Sequence, residues 1–130
     1  QPLKLAARPL RFGANMTVTL YHNPKCSKSR QALELLRSRG IEPVIIEYLK
    51  TPPDGKALKK ILRMLRMEPR ELMRRQESAY KEAGLDNESL GREELIRAMQ
   101  EHPILIERPI AIAGGKAVVG RPPEKVLTIL

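Results

Sequence analysis

Hydrophobic and polar positions change their period several times along this chain, and each change marks an element. After Met16, "TVTLY" is a short β-branched run that predicts a strand. "SRQALELLRSRG" then sets Ala32, Leu33, Leu35 and Leu36 on one helical stripe and stops at Gly40. "PVIIEYL" is a continuous apolar run of strand length, the pattern of a strand buried on both faces. Strand, helix and strand joined by a short crossover predict a parallel pair. "TPP" interrupts the pattern, and Asp54 is placed to cap a helix through "GKALKKILRMLRM". Helical spacing continues through "PRELMRRQESAYKEAGL" and "GREELIRAMQEHP", with Gly84 and Pro103 near the ends. In "PIAIAGGKAVVG" two short apolar runs meet at Gly114-Gly115, a hairpin signal. "RPPEKVLTIL" closes with a helix whose prolines occupy the first turn, where a missing N–H is harmless. The order is βαβ, several helices, ββα. It predicts an α/β fold, a thioredoxin-like mixed sheet with a helical insertion.

Composition narrows this picture. A chain of 130 residues suits one domain, and with one Phe, three Tyr and no Trp its core must be built from Leu, Ile, Val and Met. No apolar run is long enough to span a bilayer, so no membrane role is expected. A single cysteine cannot form an internal disulfide and fits a reducing, cytoplasmic setting. With His22 and His102 as the only histidines, zinc spacings are absent and no metal or bound cofactor is expected. The net charge is +9, of which Lys4, Arg8 and Arg11 supply three. They lie in residues 1–15, which carry no acid and read as an N-terminal extension, without function of its own, ahead of a domain at 16–130. In the remainder, basic and acidic residues interleave without an aromatic stacking platform, which argues against nucleic-acid binding and for a solvated face plus an anion pocket.

The one thiol stands out against this background. Cys26 lies in "YHNPKCSKSR", where the first strand gives way to the first helix, with Lys25, Lys28 and Arg30 around it. Unsatisfied N–H groups at a helix N-terminus stabilise an anion, and cations lower a thiol pKa into a reactive range. Ser29 is placed to cap the helix or donate to a thiolate, and His22 to add positive charge. A redox C-x-x-C pair would need cysteine at position 29, which is Ser29. The C-x5-R loop of tyrosine phosphatases would need arginine at position 32, which is Ala32.

Four motifs in order, "YHNPKCSKSR", "ELMRRQE", "HPILIERPI" and "GRPPEKVL", resemble the glutaredoxin-coupled arsenate reductase (ArsC) family from about Thr17 to Leu130. The resemblance implies a thioredoxin-like fold and arsenate reduction. Cys26 would be the nucleophile, His22 and Ser29 its activators, and Arg74, Arg108 and Arg121 the oxyanion ligands, while Arg75 is left as a solvated neighbour. It further implies glutathione as thiol co-substrate, glutaredoxin as partner, and a cis bond at Arg108-Pro109. Ser27-Lys28 replaces the Gly-Thr common after the nucleophile in well-known members. Two rival readings follow: a glutathione-dependent thiol oxidoreductase acting on another substrate, and a non-catalytic interaction protein like the Spx transcription regulators, which usually carry the C-x-x-C that Ser29 precludes.

Overall fold

The computed structural model describes residues 17–130; Met16 and the expected extension at 1–15 lie outside the described residues. In β1 (Val18–His22) the period of two sends Val18, Leu20 and His22 to one face of the sheet. Tyr21 faces the other way and packs against a second apolar cluster. β1 pairs in parallel with β2 (Val44–Glu47) and antiparallel with β3 (Ile110–Ala113), which pairs antiparallel with β4 (Lys116–Val119). The order is therefore β2-β1-β3-β4, with β1 inside the sheet. Gly114 and Gly115 link β3 and β4 at φ 57° and 77°, the double left-handed turn that the dipeptide predicts.

Each face of the sheet is covered. Helix α1 (Ser27–Ser38) lays Ala32 and Leu36 on Val18, Leu20, Ala111 and Ala113, joined by Val126 and Ile129 from the C-terminal segment. The opposite face carries the helical insertion. There α2 (Gly55–Leu65) buries Leu58, Ile61 and Leu62, and a later helix (Arg92–Glu101) buries Leu95, Ile96 and Met99. Asp54 caps α2 as expected, accepting from the Ala57 N–H at 2.8 Å. The helix ends at Arg66, which adopts the left-handed conformation at φ 58°. That conformation costs a non-glycine residue roughly 1 kcal/mol. Burying each α2 leucine gains about 2 kcal/mol, so packing decides where the helix stops.

Three expectations need correction. β2 is an edge strand, and Val44 and Ile45 are 52% and 37% exposed, so "PVIIEYL" is not buried on both faces. "PRELMRRQESAYKEAGL" is not one helix either. It forms a 3-10 turn (Pro69–Leu72), an extended step at Met73, and a short helix α3 (Ser78–Glu82), which makes the Arg92–Glu101 helix α4. Tertiary pairing overrides the local period here. Met73 bridges Ile106, with the Arg74 N–H donating to Leu105 O at 2.7 Å and the Glu107 N–H to Leu72 O at 2.8 Å. Arg70 fixes the same stretch by donating to the Tyr80 hydroxyl at 2.9 Å, to Leu85 O, and to Asn87 O at 2.8 Å. Finally, the closing helix is a 3-10 segment (Pro123–Ile129).

Candidate active site

Cys26 is the N-cap of α1, with extended backbone (φ −96°, ψ 124°) and a side chain only 9% exposed. Its N–H donates to Asn23 O and its carbonyl accepts from the Arg30 N–H, both at 3.0 Å, so the turn holds the sulfur over the first turn of the helix. No side-chain cap bond closes, yet the amides of Lys28 and Ser29 act on the sulfur. Burial pushes the thiol pKa up. The Ser29 amide, the Arg108 guanidinium and the Lys28 amide outweigh burial and hold Cys26 below its ordinary value.

The structure locates the relevant positive charge away from where the sequence suggested it. Lys25, Lys28 and Arg30 have exposed side chains, and Arg30 donates to Pro24 O at 2.9 Å. The guanidinium that lowers the Cys26 pKa belongs to Arg108. His22 is buried and its Nδ1 lies 2.6 Å from Ser29 Oγ, which also accepts the Asn23 N–H at 3.1 Å. Burial lowers the His22 pKa, outweighing the pull of Glu47, and Arg37 and Arg30 push the same way as burial. Burial thus disfavours the charged imidazole, and His22 buttresses Ser29.

Arg108 stands at the start of β3, and its bond to Pro109 is cis, as expected; the Arg121-Pro122 bond is cis too, which the sequence did not suggest. Arg108 Nε and NH1 are buried without a hydrogen-bond partner. The other two arginines are occupied. Arg74 Nε lies 3.8 Å and Arg121 Nε 3.7 Å from the same oxygen, Glu107 Oε1. Arg74 NH1 closes an ion pair with Glu77, and Arg121 NH1 donates to Arg108 O at 3.2 Å. Arg74 and Arg121 line a cavity of about 410 Å³ whose wall also includes Arg70, Arg75, Glu77 and Glu107. Cys26 and Arg108 are not in that wall, so the thiol and the cavity flank the Glu107–Arg108 segment.

Three neighbours escaped the sequence reading. Glu77 and Glu107 sit inside the motifs that carry Arg74 and Arg108, and an acid beside each candidate arginine was the available signal. Tyr48 is 2% exposed. Burial raises its phenol pKa, outweighing Arg108 and Arg74, which lower it. No pattern in the sequence marks that tyrosine. Among the described residues, no group of three or more His, Cys, Asp or Glu side chains is arranged to hold a metal ion, and no helix is long and apolar enough to cross a membrane.

A cysteine capping the first helix of a mixed β2-β1-β3-β4 sheet, beside a cis-proline loop, defines a thioredoxin-like thiol protein. Comparison with known proteins narrows the class: residues 21–129 match the ArsC family model, and the chain belongs to that family. It is 49% identical over 114 residues to the arsenate reductase of Neisseria meningitidis, covering 87% of this chain and 97% of that protein. It is 53% identical over 114 residues to the uncharacterized protein YfgD of Escherichia coli, covering 87% and 96%. The solved arsenate reductase from Vibrio cholerae superposes with a TM-score of 0.86 at 51% identity, covering 88% of this chain and 98% of that one.

Proposed function

We propose that this protein reduces arsenate to arsenite, with Cys26 as nucleophile and with glutathione and glutaredoxin as the reducing partners. The observation that carries the reading is that two buried Arg108 donors, Nε and NH1, lack a hydrogen-bond partner on a guanidinium set against a thiol whose ionisation is favoured. Leaving such donors unmet is costly, and a tetrahedral oxyanion offers oxygens to guanidinium donors. Family membership and the named arsenate reductases at about half identity support the same substrate.

In this mechanism the Cys26 thiolate attacks arsenic and one oxygen leaves as water, giving a sulfur–arsenic(V) adduct held by Arg108 with Arg74 and Arg121. Ser29, buttressed by His22, helps to hold the thiolate before attack. Glutathione thiolate then attacks Cys26 Sγ. A disulfide forms, the sulfur–arsenic pair stays on arsenic, and arsenite departs as arsenic(III). Each sulfur supplies one of the two electrons. The chain has one cysteine, so the second sulfur comes from outside. Glutaredoxin thiol then exchanges onto the mixed disulfide and releases Cys26. A reducing cytoplasm holds the thiol pool this cycle needs.

The test is arsenate-dependent NADPH oxidation with glutathione, glutaredoxin and glutathione reductase supplied. Turnover is expected only with both thiol components, none with Cys26→Ser, and one glutathione on Cys26 by intact mass when glutaredoxin is withheld. Full turnover with thioredoxin as sole reductant overturns the glutathione step. Absence of any arsenate-dependent oxidation overturns the function.

A further inference from the structure

The three arginines of the site are not in the same state, and the difference has a chemical consequence. Arg108 has two buried donors, Nε and NH1, without a hydrogen-bond partner. Arg74 is engaged at both ends, by Glu107 near Nε and by Glu77 at NH1, and Arg121 is engaged by Glu107 near Nε and by the Arg108 carbonyl at NH1. An oxyanion held by all three therefore meets, at the NH1 end of Arg74, a carboxylate already in place.

We propose that Glu77 is an internal competitor at the oxyanion site: its carboxylate occupies the NH1 end of Arg74 that the anion would take, while Glu107 stays as a fixed support on the Nε side of Arg74 and Arg121. The inference rests on the oxyanion reading given above.

The two carboxylates differ in how they are tethered. Glu107 is fixed through its backbone, whose N–H donates to Leu72 O at 2.8 Å, and its Oε1 accepts the Arg108 N–H at 3.2 Å. Glu77 lies in the turn three residues after Arg74, and its side chain and that of Arg74 are 25% and 26% exposed. Besides Arg74, no other partner is found for its carboxylate among the described residues. A tetrahedral dianion offers the same oxygen geometry as a carboxylate with more charge, so it competes for the NH1 end on favourable terms. The exchange still costs the ion pair. A partly exposed pair contributes up to about 1 kcal/mol, which corresponds to roughly two- to fivefold in anion affinity. Glu77 thus lowers the affinity of every oxyanion that uses the NH1 end of Arg74.

The experiment measures how much inorganic arsenate, and separately sulfate, is needed to half-protect Cys26 from iodoacetamide, a readout that requires no turnover. Glu77→Gln and Glu77→Asp are each expected to lower the half-protecting concentration roughly two- to fivefold. Asp keeps the charge and draws it back from NH1 by one methylene. Glu71→Gln is the control. It removes the same charge from the same cavity wall and leaves Arg74 paired. Thermal melts establish that each variant is folded. An equal gain in Glu71→Gln would mean that bulk charge alone is at work and would overturn the proposal, as would unchanged or weaker protection in both Glu77 variants. Protection in the wild type without a gain in the variants sinks only this inference. No protection in any of the proteins removes the oxyanion reading along with it.

Discussion

His22, Cys26 and Ser29 come from one strand, one turn and the first turn of one helix, whereas Arg74, Arg108 and Arg121 come from three segments far apart in the chain. The thiol side is fixed by short-range bonds: Cys26 N–H to Asn23 O, Asn23 N–H to Ser29 Oγ, and Ser29 Oγ to His22 Nδ1. The arginine side is held by long-range ones, through the Met73–Ile106 bridge and a shared carboxylate at Glu107. Local hydrogen bonds give the thiol side its geometry. Tertiary contacts bring the arginine side together. The one group that belongs to both sides is Arg108, which lowers the thiol pKa and has two buried donors, Nε and NH1, without a partner.

Arg108 is therefore where the comparison breaks most sharply. Arg108→Lys keeps the charge and loses the planar fork. Losing one charged hydrogen bond should cut kcat/KM for arsenate by roughly 10- to 100-fold, and the Cys26 alkylation midpoint should rise. Wild-type kinetics in that variant would show the two sides to be independent.

A smaller effect tests the arginine side through its packing. A Cβ on Gly120 would lie 2.9 Å from both Pro109 Cγ and Val126 Cγ1, and the Gly120 N–H donates to Pro109 O at 2.8 Å. Gly120 thus lets the Arg121 segment approach the loop that carries Arg108. Gly120→Ala should destabilise the fold by about 1–3 kcal/mol in urea denaturation. An unchanged midpoint would mean that the contact relaxes at no cost.

The smallest effect concerns the thiol side. Burial lowers the His22 pKa, so the unfolded chain takes up that proton first. Stability should then fall as pH drops through about 6.5, the unfolded value, and fall further until the folded value is passed. His22→Asn removes the group and should flatten that part of the slope. Urea midpoints at pH 7.5 and 5.5 measure it, and identical slopes in the two proteins would count against a neutral, buried His22.

The same division explains what the sequence disclosed. The βαβ start, the Asp54 cap, the Gly114-Gly115 turn and the thiol at a helix N-terminus are local facts, and local patterns carried them. The break of "PRELMRRQESAYKEAGL" at Met73 was illegible because its cause is a partner more than thirty residues away, Ile106. The exposure of Val44 and Ile45 was missed because an apolar run does not say whether its strand lies at an edge. Motif resemblance put Arg74, Arg108 and Arg121 on one list. Glu77 and Glu107 lie in the same motifs, but that Glu107 faces both Arg74 and Arg121 emerges only from three-dimensional proximity.

The register of the sheet also carries a consequence for the life of the chain. Tyr21 of β1 pairs with Ile110 of β3, about ninety residues later. During synthesis the Cys26 turn leaves the ribosome long before Arg108 exists, and so large a sequence separation makes that pairing a late event in folding. Until it forms, Cys26 lacks the guanidinium that favours its ionisation. Until the sheet is complete the thiol has only the local Ser29 and Lys28 amides to favour its ionisation, and the Arg108 contribution comes with the pairing of the first and third strands.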